Sequence, residues 1–302
     1  ETDRTEARFE IDINNSSSGV SGEVKKLYLK RKFNNFNLTL GRQPISWSFG
    51  SMINPVDFNL GAEVMDEATS AKYLDALDIY VPVNWGTGLE LAIVPKLKEI
   101  HNGERSKYNY LGTKFGLRGR TTVSDFDLAA NYVHSPENIH YKDRFALSLK
   151  GDIGPIAAYS AVSYEPSDKG NEYVYLTGLD YSMAVNYTQR IYFQGEVINF
   201  SKDKISSLIA GKLLISPEFS FTDDRYSLFL GNVSYSLNNF SDIAFMSGVN
   251  LNDGSLFVMP RYTNQLPGNL TLEISSSLLS GDKGDMFHES GIPLSISLSY
   301  PF

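Results

Sequence analysis

The sequence predicts an all-β fold, a transmembrane antiparallel β-barrel of about sixteen strands, with fourteen or eighteen also open, built as a single domain over residues 1–302. Three observations carry this expectation. Large apolar residues recur at every second position in segments of about ten residues, and a period of two puts them on one face of a strand. No run approaches the roughly 18 apolar residues that a membrane-spanning helix needs, and a mean hydropathy of −0.22 is what alternation produces, because it hides apolar surface from an average. The nine residues from Leu294 alternate to the end of the chain, with Leu294, Ile296, Leu298, Tyr300 and Phe302 on one face.

Composition narrows the function classes. There is no cysteine, which removes disulfides, thiolate metal sites and cysteine nucleophiles. A net charge of −8 argues against nucleic acid, which wants a basic surface. Aromatics reach 13%, nearly all from 18 Tyr and 18 Phe. The chain opens at Glu1 without a leader, and one already removed is expected of an exported barrel.

In chain order, Arg8 to Ile13 alternates, and the Ser/Gly-rich stretch Asn14 to Gly22 reads as a loop. Lys26 to Phe33 then sets Leu27, Leu29 and Phe33 against Lys26, Tyr28, Lys30 and Lys32, a polar face suited to a wet lumen. Asn34-Asn35 makes a tight turn, after which Phe36, Leu38 and Leu40 resume the apolar face. Beyond Gly41 the pattern stops for about thirty residues, to Tyr73; connections that long are uncommon and usually functional. Strand pairs follow around Trp85 to Gly88, Thr121 to Ser124 and Gly151 to Gly154. Further segments run Tyr173 to Tyr181, Arg190 to Phe200, Tyr226 to Leu237, Ile243 to Leu251, Leu256 to Tyr262 and Leu270 to Leu278. Ile205 to Ile215 reads either as an extra strand pair or as a loop helix. Pro82, Pro95 and Pro260 fall inside strands, where each removes a ladder bond and a bulge is expected.

Catalytic chemistry finds little support. His134, Glu137 and His140 have a metal-compatible spacing, which a polar surface loop explains equally. His288-Glu289-Ser290 holds the residue types of a hydrolytic triad, but adjacent residues cannot face one another in triad geometry. Asn252-Asp253-Gly254-Ser255 and Gly281-Asp282-Lys283-Gly284-Asp285 admit loop calcium, and ordinary turn chemistry accounts for them better. No phosphate cradle is present. The expectation is therefore no enzyme, no cofactor and no metal.

The face opposite the apolar one says more. Alternation assigns Lys26, Lys30, Lys32, Lys96, Lys114, Arg118, Arg120, Arg144, Lys150 and Arg261 to it, against Asp78, Glu90, Asp127, Asp180, Glu196 and Glu273. A charge at mid-bilayer on the lipid face costs roughly 2–4 kcal/mol, so these residues are expected to line a pore. Their basic excess predicts a weak preference for anions. The segment 45–73 is expected to fold inward: Trp47, Phe49, Met52, Ile53, Phe58 and Met65 are too much apolar surface to leave in water. It would carry Asp57, Glu63, Asp66 and Glu67 as a constriction opposite Lys26, Lys30 and Arg118. An outward loop packed on a neighbouring protomer is the alternative.

Two resemblances join these readings. The terminal alternation ending in Tyr300 and Phe302 resembles the C-terminal signature of Gram-negative outer-membrane β-barrels of the porin type, which implies that these aromatics are read by the barrel-assembly machinery. Gly41-Arg42-Gln43, Trp47 and Asn54-Pro55-Val56-Asp57 look like the Gly-Arg-Gln, Trp-Gly, Asn-Pro-x-Asp pattern of a broad group of bacterial outer-membrane barrels, with Ser48 in place of the second Gly. Asn252-Asp253-Gly254-Ser255 with Pro260 resembles a hairpin of the same group. The reading is a bacterial outer-membrane channel for passive diffusion of small hydrophilic solutes. The alternative is a plugged barrel serving as envelope scaffold or secretion component, and an outer-membrane enzyme comes third. Expected partners are outer-membrane lipid, small hydrophilic solutes or ions and the assembly machinery, with a homo-oligomer such as a trimer left open. Deleting Phe302 is expected to lower the folded yield in cells while refolding into detergent stays intact; equal membrane insertion of the truncated chain would remove the assembly role.

Overall fold

The computed structural model describes residues 5–16, 19–47, 49–58, 73–95, 112–136, 142–167, 170–202, 215–216, 218–219, 222–288 and 292–300. Among them the chain forms one sheet of seventeen strands and no α-helix. It divides into two compact units, one of Glu1–Phe49, Asn54–Leu149 and Ala161–Tyr173, the other of Gly50–Ile53, Lys150–Ser160 and Val174–Phe302.

In the first unit, β1 (Thr5–Ser16), β2 (Gly19–Lys32), β3 (Asn37–Pro44), β4 (Tyr73–Pro82), β5 (Gly88–Val94), β6 (Lys114–Val123) and β7 (Phe126–His134) pair antiparallel in chain order. The unit boundary falls within β8 (Asp143–Ile153), and β9 (Ile156–Glu165) and β10 (Glu172–Ala184) likewise contribute to both. The second unit continues with β11 (Arg190–Ser201), β12 (Arg225–Asn238), β13 (Ser241–Asn250), β14 (Leu256–Leu266), β15 (Leu270–Ser276), β16 (Leu278–Ser280) and β17 (Leu294–Ser299).

Register fixes the two faces. Leu29 lies opposite Leu40, Leu40 opposite Leu77, Leu77 opposite Ile93 and Ile93 opposite Phe115, so one apolar column crosses β2 to β6. Leu29, Leu40, Leu89, Phe115, Leu117, Phe145 and Leu147 of this face are exposed. Near one edge of this face an aromatic ladder runs Phe115, Tyr132, Phe145, Tyr164, Tyr173, with ring centroids 5.9, 5.0, 6.5 and 5.0 Å apart. Exposed apolar columns bounded by aromatic belts are what a lipid-facing barrel wall presents.

Several sequence expectations change. Asn14 to Gly22, expected as a loop, is largely strand, because β1 extends to Ser16 and β2 starts at Gly19; the backbone ladder is satisfied across the pair whatever the side chains. Bulges occur at Glu10/Ile11 and Ser236/Asn238 rather than at prolines. Pro82 is the last residue of β4 and Pro95 follows β5, where neither interrupts a ladder. Pro260 sits inside β14, and the pairing of the next strand on β14 lapses beside it, between Ser275 and Leu278, without change of register. The missing N–H thus produces a gap instead of a bulge. Counting β15 and β16 as one interrupted strand gives sixteen. The segment Ile205 to Ile215 lies, but for Ile215, outside the described residues.

Leu147 stands mid-strand on the exposed apolar face of β8. Leu147→Arg is expected to cost about 2–4 kcal/mol, read as a lowered urea midpoint for the protein refolded in lipid vesicles. An unchanged midpoint would place this face away from hydrocarbon.

Candidate functional site

Towards its end β3 carries a backbone that only glycine accommodates. Gly41 has φ +120°, and a Cβ there would lie 2.3 Å from the Leu27 carbonyl oxygen. Two residues on, buried Gln43 donates from Nε2 to the carbonyls of Ala76 (3.1 Å) and Thr39 (3.3 Å). Arg42 points to the opposite face and grips Asp75 through Nε and Nη2, at 3.1 and 3.0 Å.

In the first unit the chain then folds onto the face of the sheet opposite the apolar column. Trp47, 0% exposed, and Phe58 pack edge to face, with centroids 5.2 Å apart, against Ala76, Ala92 and Val133. Gly116 is their seat: a Cβ there would come within 2.6 Å of the indole and 2.8 Å of the Phe58 ring. Trp47 donates from Nε1 to Glu90 (2.7 Å) and from its main-chain N–H to the Asp57 carboxylate (2.6 Å). The same Asp57 oxygen accepts the Phe58 N–H at 2.7 Å. Asn54 accepts from the Val56 N–H (3.1 Å) and donates to the Trp47 carbonyl (3.3 Å). Asn131 donates to the Val56 carbonyl (2.8 Å), Arg144 donates to the Asp57 carbonyl, and the Lys114 ammonium lies 4.3 Å from the centre of the Phe58 ring.

In the second unit, Gly50–Ile53 is held by β11. Glu196, 1% exposed, accepts the N–H groups of Met52 (2.6 Å) and Ile53 (3.4 Å), the Tyr159 hydroxyl (2.6 Å) and the Gln194 amide (3.0 Å). Gln194 also donates to the Gly50 carbonyl at 2.9 Å.

The assigned pore-lining residues therefore divide into two groups. Glu90, Arg144 and Glu196 spend their polar atoms on the segment, and Lys114 lies over its Phe58 ring. Asp57, expected to face the basic wall, is buried with its carboxylate turned into the segment's own backbone. Lys30, Lys32, Arg120, Asp127 and Arg261 remain exposed on the charged face. Arg120 donates to the Tyr80 hydroxyl (2.8 Å), Arg118 stands opposite Glu90 in register, and Glu273 stands opposite Thr263. Lys26 pairs with Glu10 at 2.5 Å, and Lys150 approaches Asp180 at 3.9 Å. Register also brings Glu6, Glu10 and Asp242 to this face, opposite Lys30, Lys26 and Thr263, so the basic excess narrows. Lys96, Glu63, Asp66, Glu67, Met65 and Phe302 lie outside the described residues.

Sequence reading missed Gly116, Asn131, Tyr159 and Gln194 as docking residues. It also missed that β10 to β14 turn apolar groups to the charged side: Leu176, Ile198, Leu228, Leu230 and Phe257 are buried on the face of Glu196. The signal was present in Ser227-Leu228-Phe229-Leu230, where alternation gives way to an apolar run, the mark of a strand covered on both faces. Of the histidines, His134 contacts Asp143 at 2.8 Å, and among the described residues no cluster of three potential metal ligands forms. The carboxylates of the acidic loops close turns: Asp253 accepts the Ser255 N–H (2.8 Å) and Met286 N–H (2.9 Å), and Asp285 the Asp282 N–H (2.6 Å).

No family model matches the chain, and no curated protein does. Solved structures do. Pseudomonas aeruginosa OccK3 (OpdO) superposes with TM-score 0.57 at 15% identity, covering 97% of this chain and 84% of that one. Acinetobacter baumannii OccAB2 gives 0.58 at 10%, covering 96% and 80%. Escherichia coli Wzi, described as an outer-membrane carbohydrate-binding β-barrel involved in group 1 capsule assembly, gives 0.56 at 12%, covering 96% and 72%. The fold is that of a transmembrane antiparallel β-barrel of the outer-membrane kind.

Burial pushes the Asp57 carboxyl above its usual range, against the pull of the Trp47 and Phe58 N–H groups and of Arg144 and Lys114. A carboxyl with a raised folded pKa holds its proton better docked than free, so docking is firmest at low pH and weakens as pH rises through the raised value. Trp47 becomes the single tryptophan in a Trp85→Phe background. Acrylamide quenching of its fluorescence is expected to increase with pH, and Asp57→Asn, which keeps the acceptor oxygen, is expected to flatten that dependence. The same slope in both proteins would assign it to another group.

Proposed function

We propose that the chain is an outer-membrane channel through which small hydrophilic solutes diffuse passively, without a chemical step. The observation that carries this reading is the exposure of Lys30, Lys32, Arg120, Asp127 and Arg261 on the side of the sheet away from the apolar columns. With the apolar face in lipid, such groups need water on the other, and a barrel of this strand number leaves room for it. The likeness to the Occ proteins supports the reading, as does that to P. aeruginosa OpdK, solved with vanillate. In this reading residues 45–73 narrow the lumen, and Tyr300 and Phe302 serve recognition by the assembly machinery.

A second reading, a barrel plugged by its own loops and serving as an envelope scaffold, is favoured by one observation. In the second unit Phe287 packs edge to face on Phe257 at 4.9 Å, and Met286 is buried with it, on the face where a pure channel wall would be polar.

Planar-bilayer recordings separate the two, since an open channel conducts in discrete steps and a sealed barrel does not. Replacing Asn54 through Glu67 by a short Gly/Ser linker is expected to raise the conductance of each step substantially. Unchanged conductance in a folded variant would sink the constriction role, and absence of steps in both proteins would favour the plugged scaffold.

A further inference from the structure

One ion pair of the first unit stands on the face that carries the apolar columns. Alternation along β3 sets Leu38, Leu40 and Arg42 on one side, and along β4 it sets Asp75, Leu77 and Ile79 there. Arg42 lies opposite Asp75 in register and holds both of its carboxylate oxygens, donating from Nε to Oδ1 at 3.1 Å and from Nη2 to Oδ2 at 3.0 Å. The third nitrogen, Nη1, donates to the Val24 carbonyl at 3.3 Å. The guanidinium is thereby fixed at three points, and the Asp75 side chain beside it stays 55% exposed.

The pair lies within that face and not at its margin. In its own row Leu27 stands opposite Arg42 and Phe9 opposite Leu27, and these two side chains are 56% and 63% exposed. Exposed Leu40 and Leu29 lie one row towards the Asn37 end of β3, and exposed Ile11 lies one row the other way on β1. Ionisable groups on a wall that meets lipid are costly, and in membrane proteins they turn to protein or water rather than hydrocarbon. The leucines around the pair gain little by exchanging lipid tails for another apolar surface, so in a bilayer the polar pair decides what docks here. A lipid phosphate is a poor fit, because the guanidinium is already neutralised and the Asp75 carboxylate repels an anion.

We propose that this outward patch of β1 to β4 is the contact between two copies of the chain, joined across a two-fold axis that runs along the membrane normal between Arg42 and Asp75. A two-fold contact requires a surface that complements itself. A cation and an anion side by side meet that requirement, because half a turn sets Arg42 of each copy against Asp75 of the other. Each guanidinium then keeps its own carboxylate and gains a second. The four charges close a ring, shielded from lipid by Leu27, Leu40 and Leu77 of both copies. A three-fold ring would join two different surfaces and leave this self-match unused.

The inference rests on the transmembrane reading, and the test keeps the two apart. The chain has no cysteine, so Leu29→Cys and Leu147→Cys each take a single nitroxide label. In protein refolded into phosphatidylcholine vesicles, the label at 147 is expected to be reached by oxygen and not by a water-soluble nickel chelate; the reverse would sink the barrel reading. Pulsed dipolar spectroscopy of the label at 29 is expected to give one short, sharp distance between copies. Protein carrying a dye through Asp125→Cys, in an exposed turn, is expected to bleach in two steps. Arg42→Leu/Asp75→Leu, which leaves an all-apolar wall, is expected to remove the short distance and to reduce the bleaching to single steps. The charge swap Arg42→Asp/Asp75→Arg should pair with itself and not with wild type, since a mixed pair sets like charges together. Three results overturn the two-fold contact while the label at 147 still lies in hydrocarbon: single-step bleaching of wild type, a dimer that survives the double leucine change, or free mixing of wild type with the charge swap.

Discussion

The strands of this protein must satisfy two surroundings at once, with hydrocarbon against one face and the barrel interior against the other. Backbone groups inside a bilayer have no water to bond, so the ladders have to be complete. That constraint explains why pairing survives where side-chain chemistry would abandon it, as in the Ser/Asn/Gly-rich ends of β1 and β2. It also explains why a proline is admitted at β14 at the expense of a short gap in one neighbour, with the register kept on both sides of the gap. A slip by one residue would exchange the faces of the whole strand.

The interior face then carries a second task, holding the segment after β3. A buried charge is costly unless paired or hydrogen-bonded. Here Glu90 takes the indole N–H of Trp47, Arg144 meets a carbonyl of the segment, and Glu196 gathers two of its N–H groups with a tyrosine and a glutamine. The wall charges thus replace the water that the segment's backbone loses on docking. Alternation alone cannot distinguish such a residue from one that faces a wet lumen, since both stand on the same face of the same strand. Glycine completes the arrangement, because the Trp47 and Phe58 rings occupy the space that any side chain at position 116 would need.

How much was legible in the sequence follows from the range of the interactions. The fold was legible, because period two is a local property, repeated in nearly every segment, and both faces of β2 can be read from Leu27, Leu29, Lys26 and Lys30 alone. The apolar identity of the segment was legible for the same reason, from Trp47, Met52, Ile53 and Phe58. Its attachment points were not: Asn131, Arg144, Tyr159, Gln194 and Glu196 are distant in sequence, and nothing in their neighbourhoods marks them off from other polar strand residues. The direction of the Asp57 carboxylate was misjudged because a carboxylate in a polar loop reads as a surface charge. Only the turn of the chain from Asn54 to Phe58 brings two N–H groups onto it.

The Gly-Arg-Gln, Trp and Asn-Pro-x-Asp pattern now has a physical content. Gly41 allows a backbone that other residues resist, and Gln43 satisfies two carbonyls beside the point where the chain leaves the sheet. Asn54 and Asp57 close the segment on Trp47 from both ends of the tetrapeptide, and Trp47 anchors it to Glu90. Apart from Arg42, which pairs with Asp75 on the opposite face, the polar residues of the pattern are used to fold and fasten the segment. The pattern therefore specifies how this segment is held against the sheet. A barrel that shares the pattern should share the docking of this segment, because Gly41, Gln43, Trp47, Asn54 and Asp57 are the residues that fold and fasten it.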